Sequence, residues 1–375
     1  MTTARLMTTA EDFKRIGIEP GIVHQWEDGR RDTSEPGHNE VWYFDGTMED
    51  GTKIIAAFRP KMPGDVTTSA DSPNLNVAIT DPDGTEHVDM FVVPPADCEI
   101  SHEHCYVKFG PHSAQGDLKT YKVKVEPVNG TGLDLTFEAL VEPYRAGGTA
   151  QVALGANDEF YYTDMSIPKN RITGTVTAGG KTREVRGHGY HDHQWMNIHP
   201  FQAWHHWLWG RFYAGPYTVV IYDFVATERF GFTNVPIFGI LDGTGKVVFD
   251  NHSPAERALE TYHDPVTNKD YPKTSRYTFR EGDTTVRFSV EWVEILEFRD
   301  IYGSTSDAYG MSGEKERQRY DAMGIQPTYM RYYAKGDLAI TRDGATETVS
   351  GDMIYEFNYP GRPDPRAHIP AGKEL

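Results

Sequence analysis

Alternation with a period of two is the feature that most restricts what this chain can become. Leu75, Val77 and Ile79 occupy every second position. Tyr121, Val123 and Val125 alternate with lysines, and Leu133, Leu135, Phe137, Ala139 and Val141 interleave with Asp, Thr and Glu. This period sends apolar side chains to one face of a strand and polar ones to the other, the pattern of antiparallel sheet wetted on one side. Turns punctuate the pattern: DPDG at 81–84, and Gly46 and Asp50-Gly51 between a strand at 40–45 and another at 52–59. Further strand-like stretches fall near 171–177, 182–187, 201–213, 217–227, 234–241, 274–280, 284–297, 328–341 and 346–357. A short helix near Thr9 to Ile16 and the segment 313–324 are the helical signals. Strands spaced by short turns, without a strand–helix–strand rhythm, predict an all-β sandwich or barrel. A length of 375 residues exceeds the usual single domain, so two domains are expected. The Gly- and Ala-rich stretch at 145–158 places their boundary, giving domains 1–160 and 161–375.

Charge narrows the partners. Lys plus Arg total 37 against 55 Asp plus Glu, a net charge of −18. Such a field repels phosphate backbones and anionic membranes, so no nucleic-acid partner is expected. No apolar run approaches the roughly 20 residues of a spanning helix. The first residues, MTTARLMTTAEDFKRIG, lack the apolar core of a signal peptide, so a cytoplasmic location is expected. Cys98 and Cys105 are then free thiols. Nucleophile elbows, phosphate-binding glycine loops and dinucleotide fingerprints are absent, so no cofactor is expected. A homodimer is compatible with all of this.

The chemistry concentrates between Gly187 and Phe224, GHGYHDHQWMNIHPFQAWHHWLWGRFYAGPYTVVIYDF. Six of the fifteen histidines and four of the seven tryptophans lie there. His191 and His193 share a strand face, with the carboxylate of Asp192 between them. One reading is a metal site completed by His205 or His206. A second is a metal-free site in which carboxylate-oriented histidines position an acid or a water. A third is structural histidines. HExxH and CxxC are missing, so no metal is expected. Glu40, Trp42 and Phe44 also share a face. If that face is interior, desolvation keeps Glu40 protonated as a general acid. Trp207 and Trp209 share a face as well, either as core or as walls for a cationic intermediate. Asp223 ends an apolar run, either solvated at a barrel mouth or buried with a partner as a proton donor or acceptor. Tyr190, Trp42, His191, His206, Trp207 and Trp209 are the candidate substrate-binding side chains.

The segments NEVWYFDGTMEDG at 39–51, IPKNRITGTV at 167–176, REVRGHGYHDHQW at 183–195, HHWLWGRFYAGPYTVV at 205–220 and YDF at 222–224 carry a resemblance. They resemble the lipocalin-like family of hydroxyneurosporene synthase, with its AttH-type members and fungal kievitone hydratases, and are most similar to the kievitone hydratase branch. The resemblance implies two tandem lipocalin-like β domains with a pocket at or near their interface. It implies hydration of an isoprenoid double bond, the reverse dehydration, or a Diels–Alder-type cyclisation. The family's catalytic Asp, Tyr, His and Trp fall on Asp223, Tyr222, His193 and Trp195. Gln194 stands where the family has Asn, and Met196 where it has Gly. The expected reaction is a hydro-lyase one on a terpenoid or prenylated compound. Asp223 or Glu40 protonates an alkene, Trp195, Trp207 or Trp209 shields the tertiary cation, and His193 or Tyr222 holds the water. The alternatives are a cofactor-free pericyclase and a non-catalytic lipocalin-like binder of a hydrophobic ligand.

Overall fold

The computed structural model describes residues 3–62, 68–251, 255–303 and 313–374. It is all-β, as expected, with two lipocalin-like sheets in tandem. The first sheet has 14 strands, from Ala4–Leu6 to Lys181–Met196. Its centre is the run Lys53–Arg59, Asn39–Met48, Lys181–Met196, Phe160–Ala178 and Gly132–Ala139. The second has 10 strands, centred on Tyr217–Ala226, Trp204–Ala214, Ala345–Tyr359 and Thr328–Arg342. Each sheet curls over its own core, so strands distant in the sheet order meet. Phe58 packs on Phe109 at 5.8 Å in the first sheet, and Phe238 stacks on Phe279 at 4.4 Å in the second. Among the described residues no helix is long and apolar enough to cross a membrane.

A third apolar cluster lies between the sheets and includes Tyr162, Tyr190, Trp204, Trp209, Tyr222 and Phe224. The central strands are therefore buried on both faces. This explains why Tyr217–Ala226 reads as a nearly continuous apolar run: neither face meets water.

The change of sheet falls at residues 197–203. The boundary expected at 160/161 sits at the start of strand Phe160–Ala178, which pairs with Gly132–Ala139 on one side and Lys181–Met196 on the other. The hairpin 160–196 completes the first sheet by docking on Asn39–Met48. The strand expected from residue 201 starts at Trp204, because Pro200 opens a short helix, Pro200–Ala203, capped by His199. The helix near the N-terminus is Ala10–Ile16, with Thr9 and Asp12 forming a capping box, and the other helical signal is Gly313–Met323.

Candidate active site between the two sheets

Alternation along Lys181–Met196 divides the histidine block between two environments. His191, His193 and Trp195 turn into the first sheet's core, beside Glu40, Trp42 and Phe44 of the paired strand. Tyr190, Asp192 and Gln194 turn outward to the second sheet.

The inward set forms a closed network. His193 stacks on Trp42 at 4.5 Å and His191 on Phe44 at 4.2 Å. His193 Nε2 lies 2.7 Å from Glu40 Oε1, and its Nδ1 lies 3.5 Å from Asp28 Oδ1. His191 Nδ1 meets the Tyr43 carbonyl at 2.9 Å and its Nε2 lies 3.3 Å from Asp28 Oδ2. Asp28 also accepts the Tyr121 hydroxyl at 2.7 Å, and Glu40 accepts the Arg31 backbone N–H at 2.7 Å. The Glu40 face is interior, and its carboxyl is tied to His193 and the backbone rather than offered to a cavity. Trp195 lines a separate cavity of about 450 Å³ at the mouth of this sheet, with Trp26, Arg31 and Tyr161. One group among the described residues has the makings of a metal site: Asp28, Cys105 and His191, all buried, with ligand atoms within 4.8 Å of one another. It joins His191 to two residues outside the pattern the sequence suggested.

The outward set faces a cavity of about 200 Å³ walled by Tyr43, Trp204, Trp207, Trp209, Tyr222 and Phe224. Asp192 is 2% exposed. Burial, reinforced by the nearby charge of Asp164, raises its pKa well above the usual carboxylate range and so favours the protonated form. Its Oδ2 accepts the Gln194 amide at 3.1 Å, and Gln194 is held in turn by the Tyr162 hydroxyl at 2.9 Å. The Asp192 Oδ1 is buried and has no hydrogen-bond partner among the described residues. Asp164 stands beside it on the neighbouring strand. Its Oδ2 accepts the Tyr222 hydroxyl at 2.5 Å, Tyr190 and Tyr222 hydroxyls lie 3.2 Å apart, and burial pushes the Asp164 carboxyl up to about 7. Asp192 lines the cavity, and Asp164 is linked to it through the lining residue Tyr222; neighbouring carboxyls of different acidity can serve as an acid and a base. Past Tyr43 and Trp209 the cleft runs on between the sheets to Arg211, which is ion-paired with Asp45 at 2.8 Å, and opens into a space of about 460 Å³.

Asp223 and His206 lie elsewhere. Asp223 follows Tyr222 on the same strand and so faces the opposite way, into the second sheet's core. Its Oδ2 meets Arg257 at 2.7 Å and the Tyr277 hydroxyl at 2.8 Å, and its Oδ1 meets Asn234 at 2.7 Å. Of the two readings left open for it, burial with a partner is the one observed, and the partner is an arginine. His206 shares that side: it lies 2.9 Å from His205 and 3.5 Å from Arg257, and burial depresses its pKa so that it stays neutral. Tyr222, Asp192, Tyr190, Trp207 and Trp209 are the sequence-derived candidates that the structure brings together. Asp164, Tyr162, Gln194 and Trp204 were not among them. Their one signal was Tyr162 two residues before Asp164, an aromatic and an acid on a single strand face.

A model of the Svf1 family matches residues 71–338. The chain belongs to the Svf1 family. Among the relatives of this Svf1-family chain is Diels-Alderase ucsH of an Acremonium species, 24% identical over 327 residues, covering 80% of this chain and 76% of that protein. The ceramide-binding protein svf1 of Emericella nidulans is 21% identical over 248 residues, and the chain spans 57% of its length. Among solved structures, an AttH-like protein from Nitrosomonas europaea superposes with a TM-score of 0.60 at 15% identity, covering 92% of this chain and 99% of that one. Kievitone hydratase from Nectria haematococca gives 0.51 at 14%, covering 96% and 98%. CghA with Sch210972 gives 0.57 at 15%, covering 86% and 89%. These likenesses show the fold. The fold family read from the GYHDHQW block is thus right, while its narrower attachment to hydroxyneurosporene synthase is corrected: the family that matches is Svf1.

Proposed function

We propose that this Svf1-family protein is a cofactor-independent acid catalyst acting on an unsaturated hydrophobic small molecule in the cavity between the sheets, and that the reaction is a hydro-lyase one. The observation that carries the reading is the buried Asp192 carboxyl, whose Oδ1 has no hydrogen-bond partner among the described residues and whose burial in an aromatic chamber favours the protonated form. In the hydration direction Asp192 delivers this proton to one alkene carbon. The π electrons form the new C–H bond and leave a tertiary cation on the other carbon. The faces of Trp207, Trp209 and Tyr222 stabilise that charge. A water oxygen bonds to the cation and its surplus proton passes to Asp164, whose pKa near neutrality suits a base. Return of a proton from Asp164 to Asp192 restores the site. Dehydration is the same path reversed. Asp192 and Asp164 thus take the roles first given to Asp223, Glu40 and His193.

Cyclisation is the second reading, favoured by the relative named a Diels-Alderase, which spans most of this chain. There the same O–H would donate a hydrogen bond to a carbonyl rather than transfer its proton. Incubating the protein with prenylated phenols and terpenoid alcohols, with product masses measured, separates the readings. Gain or loss of one water supports the hydro-lyase, an isomer of unchanged mass supports the cyclase, and unaltered ligand retained by the protein supports a binder of the kind named by the ceramide-binding relatives.

A further inference from the structure

Two of the cavity's walls carry hydrogen-bond donors that nothing in the protein uses. Trp204 and Trp209 line the chamber and are 0% and 9% exposed, and each has a buried Nε1 with no acceptor among the described residues. A buried indole N–H ordinarily finds a partner. Trp42 does so, donating to the Asp28 carbonyl at 2.9 Å. Trp292 also has an unpaired Nε1, but it packs against the second sheet's core, away from the cavity.

Most other polar side chains of the chamber have partners: Glu356, also in its lining, is ion-paired with Arg331 at 3.2 Å, while the Asn358 amide lines the chamber as well. Tyr162 donates to Gln194, Gln194 to Asp192, and Tyr222 to Asp164. The unpartnered polar atoms on residues lining the chamber are therefore the two indole N–H groups and the Oδ1 of Asp192, with the Asn358 amide beside them. The indoles are also fixed in place. Trp204 stacks on Phe224 at 4.4 Å, and Trp209 is held between the edge of Tyr190 at 5.3 Å and the Arg211 guanidinium at 5.0 Å. Fixed, desolvated donors discriminate strongly against a ligand that leaves them unpaired.

We infer that the substrate carries an acceptor oxygen, a carbonyl or hydroxyl close to its unsaturated segment, and that Trp204 and Trp209 select it over a plain hydrocarbon by donating their indole N–H groups. The inference rests on the reading of this cavity as the substrate site, but not on the reaction performed there. Titration calorimetry of the full chain with two probes of one carbon skeleton, farnesylacetone and the triene with a methylene in place of its carbonyl, tests it. Wild type should bind the ketone at least about tenfold tighter than the hydrocarbon. Trp204→Phe and Trp209→Phe, which keep an aromatic ring and remove the donor, should bring that ratio towards one, the ratio being the readout because the smaller ring weakens both probes alike. Indole N–H resonances of the unmutated protein provide a second measurement that needs no variant: two of them should shift with the ketone and not with the hydrocarbon. A ratio near one in wild type, a ratio preserved in both variants, or no binding of either probe would overturn the inference. A preserved ketone preference with no change in product mass would sink the hydro-lyase reading alone.

Discussion

Asp192 and Asp223 look alike in the sequence, each an acid set among aromatic and strand-forming residues. What separates them is the face of the strand. Asp192 meets a cavity and one amide, whereas Asp223 meets Arg257, Tyr277 and Asn234 in a core. Removing one member of a buried ion pair leaves the other unpaired, so Asp223→Ala should cost about 3–5 kcal/mol in a urea unfolding experiment. The pH dependence of stability tests the neighbouring acid. Burial raises Asp164 from the ordinary 3.8 to about 7 in the folded protein. The folded state therefore holds a proton that the unfolded chain releases, and this contribution is present below pH 3.8 and lost as pH rises through about 7. Asp192 is shifted in the same direction and adds to the same slope. Melting temperatures should fall between pH 5 and pH 8, and by less in Asp164→Asn. An equal fall in the variant would contradict the assignment. Alternation put Glu40, Trp42 and Phe44 on one face but left open whether that face is interior, and it gave no sign that Asp28 and Arg31, brought in from the segment 25–31, would satisfy Glu40 and its histidine.

At the scale of elements, the decisive piece is the strand Lys181–Met196, which serves one core with its odd-numbered residues from His191 and the other with its even-numbered ones. Its pairing with Asn39–Met48 is unusually close at Gly189, where an added Cβ would lie 2.1 Å from the Asp45 carbonyl oxygen. Gly189→Ala should therefore destabilise the protein by about 1–3 kcal/mol, the usual range for forced overpacking, and should shift Asp192 relative to its cavity. Unchanged stability would mean that the two strands can part more easily than their register suggests. The period-two pattern made most strands legible, because one face of each outer strand meets water. It was weakest on the central strands: with both faces buried, alternation fades and the outward residues cannot be told from the inward ones. The expected division at 160/161 assigns the hairpin 160–196 to the second half, although its pairing partner lies more than a hundred residues earlier at Asn39–Met48.

At the scale of the whole molecule, two curled sheets press their aromatic outer faces together, and the cleft is what remains between them. We propose that the folding units follow the sheets, 3–196 and 204–374, rather than the Gly- and Ala-rich stretch at 145–158. That the chain is built of two sheets was legible from its strands. That the site lies between them was implied by the family resemblance, but which acid faces it was not, because Asp164 and Asp192 come together only through the register of two strands. The most direct test of this account is turnover of Asp192→Asn on whichever terpenoid or prenylated compound the wild-type protein transforms, read by mass spectrometry alongside a circular dichroism spectrum. The account predicts an intact fold and a loss of about 10²–10⁴-fold, because the amide keeps the shape but has no acid proton to deliver. Near-normal turnover by a correctly folded Asp192→Asn protein would contradict it.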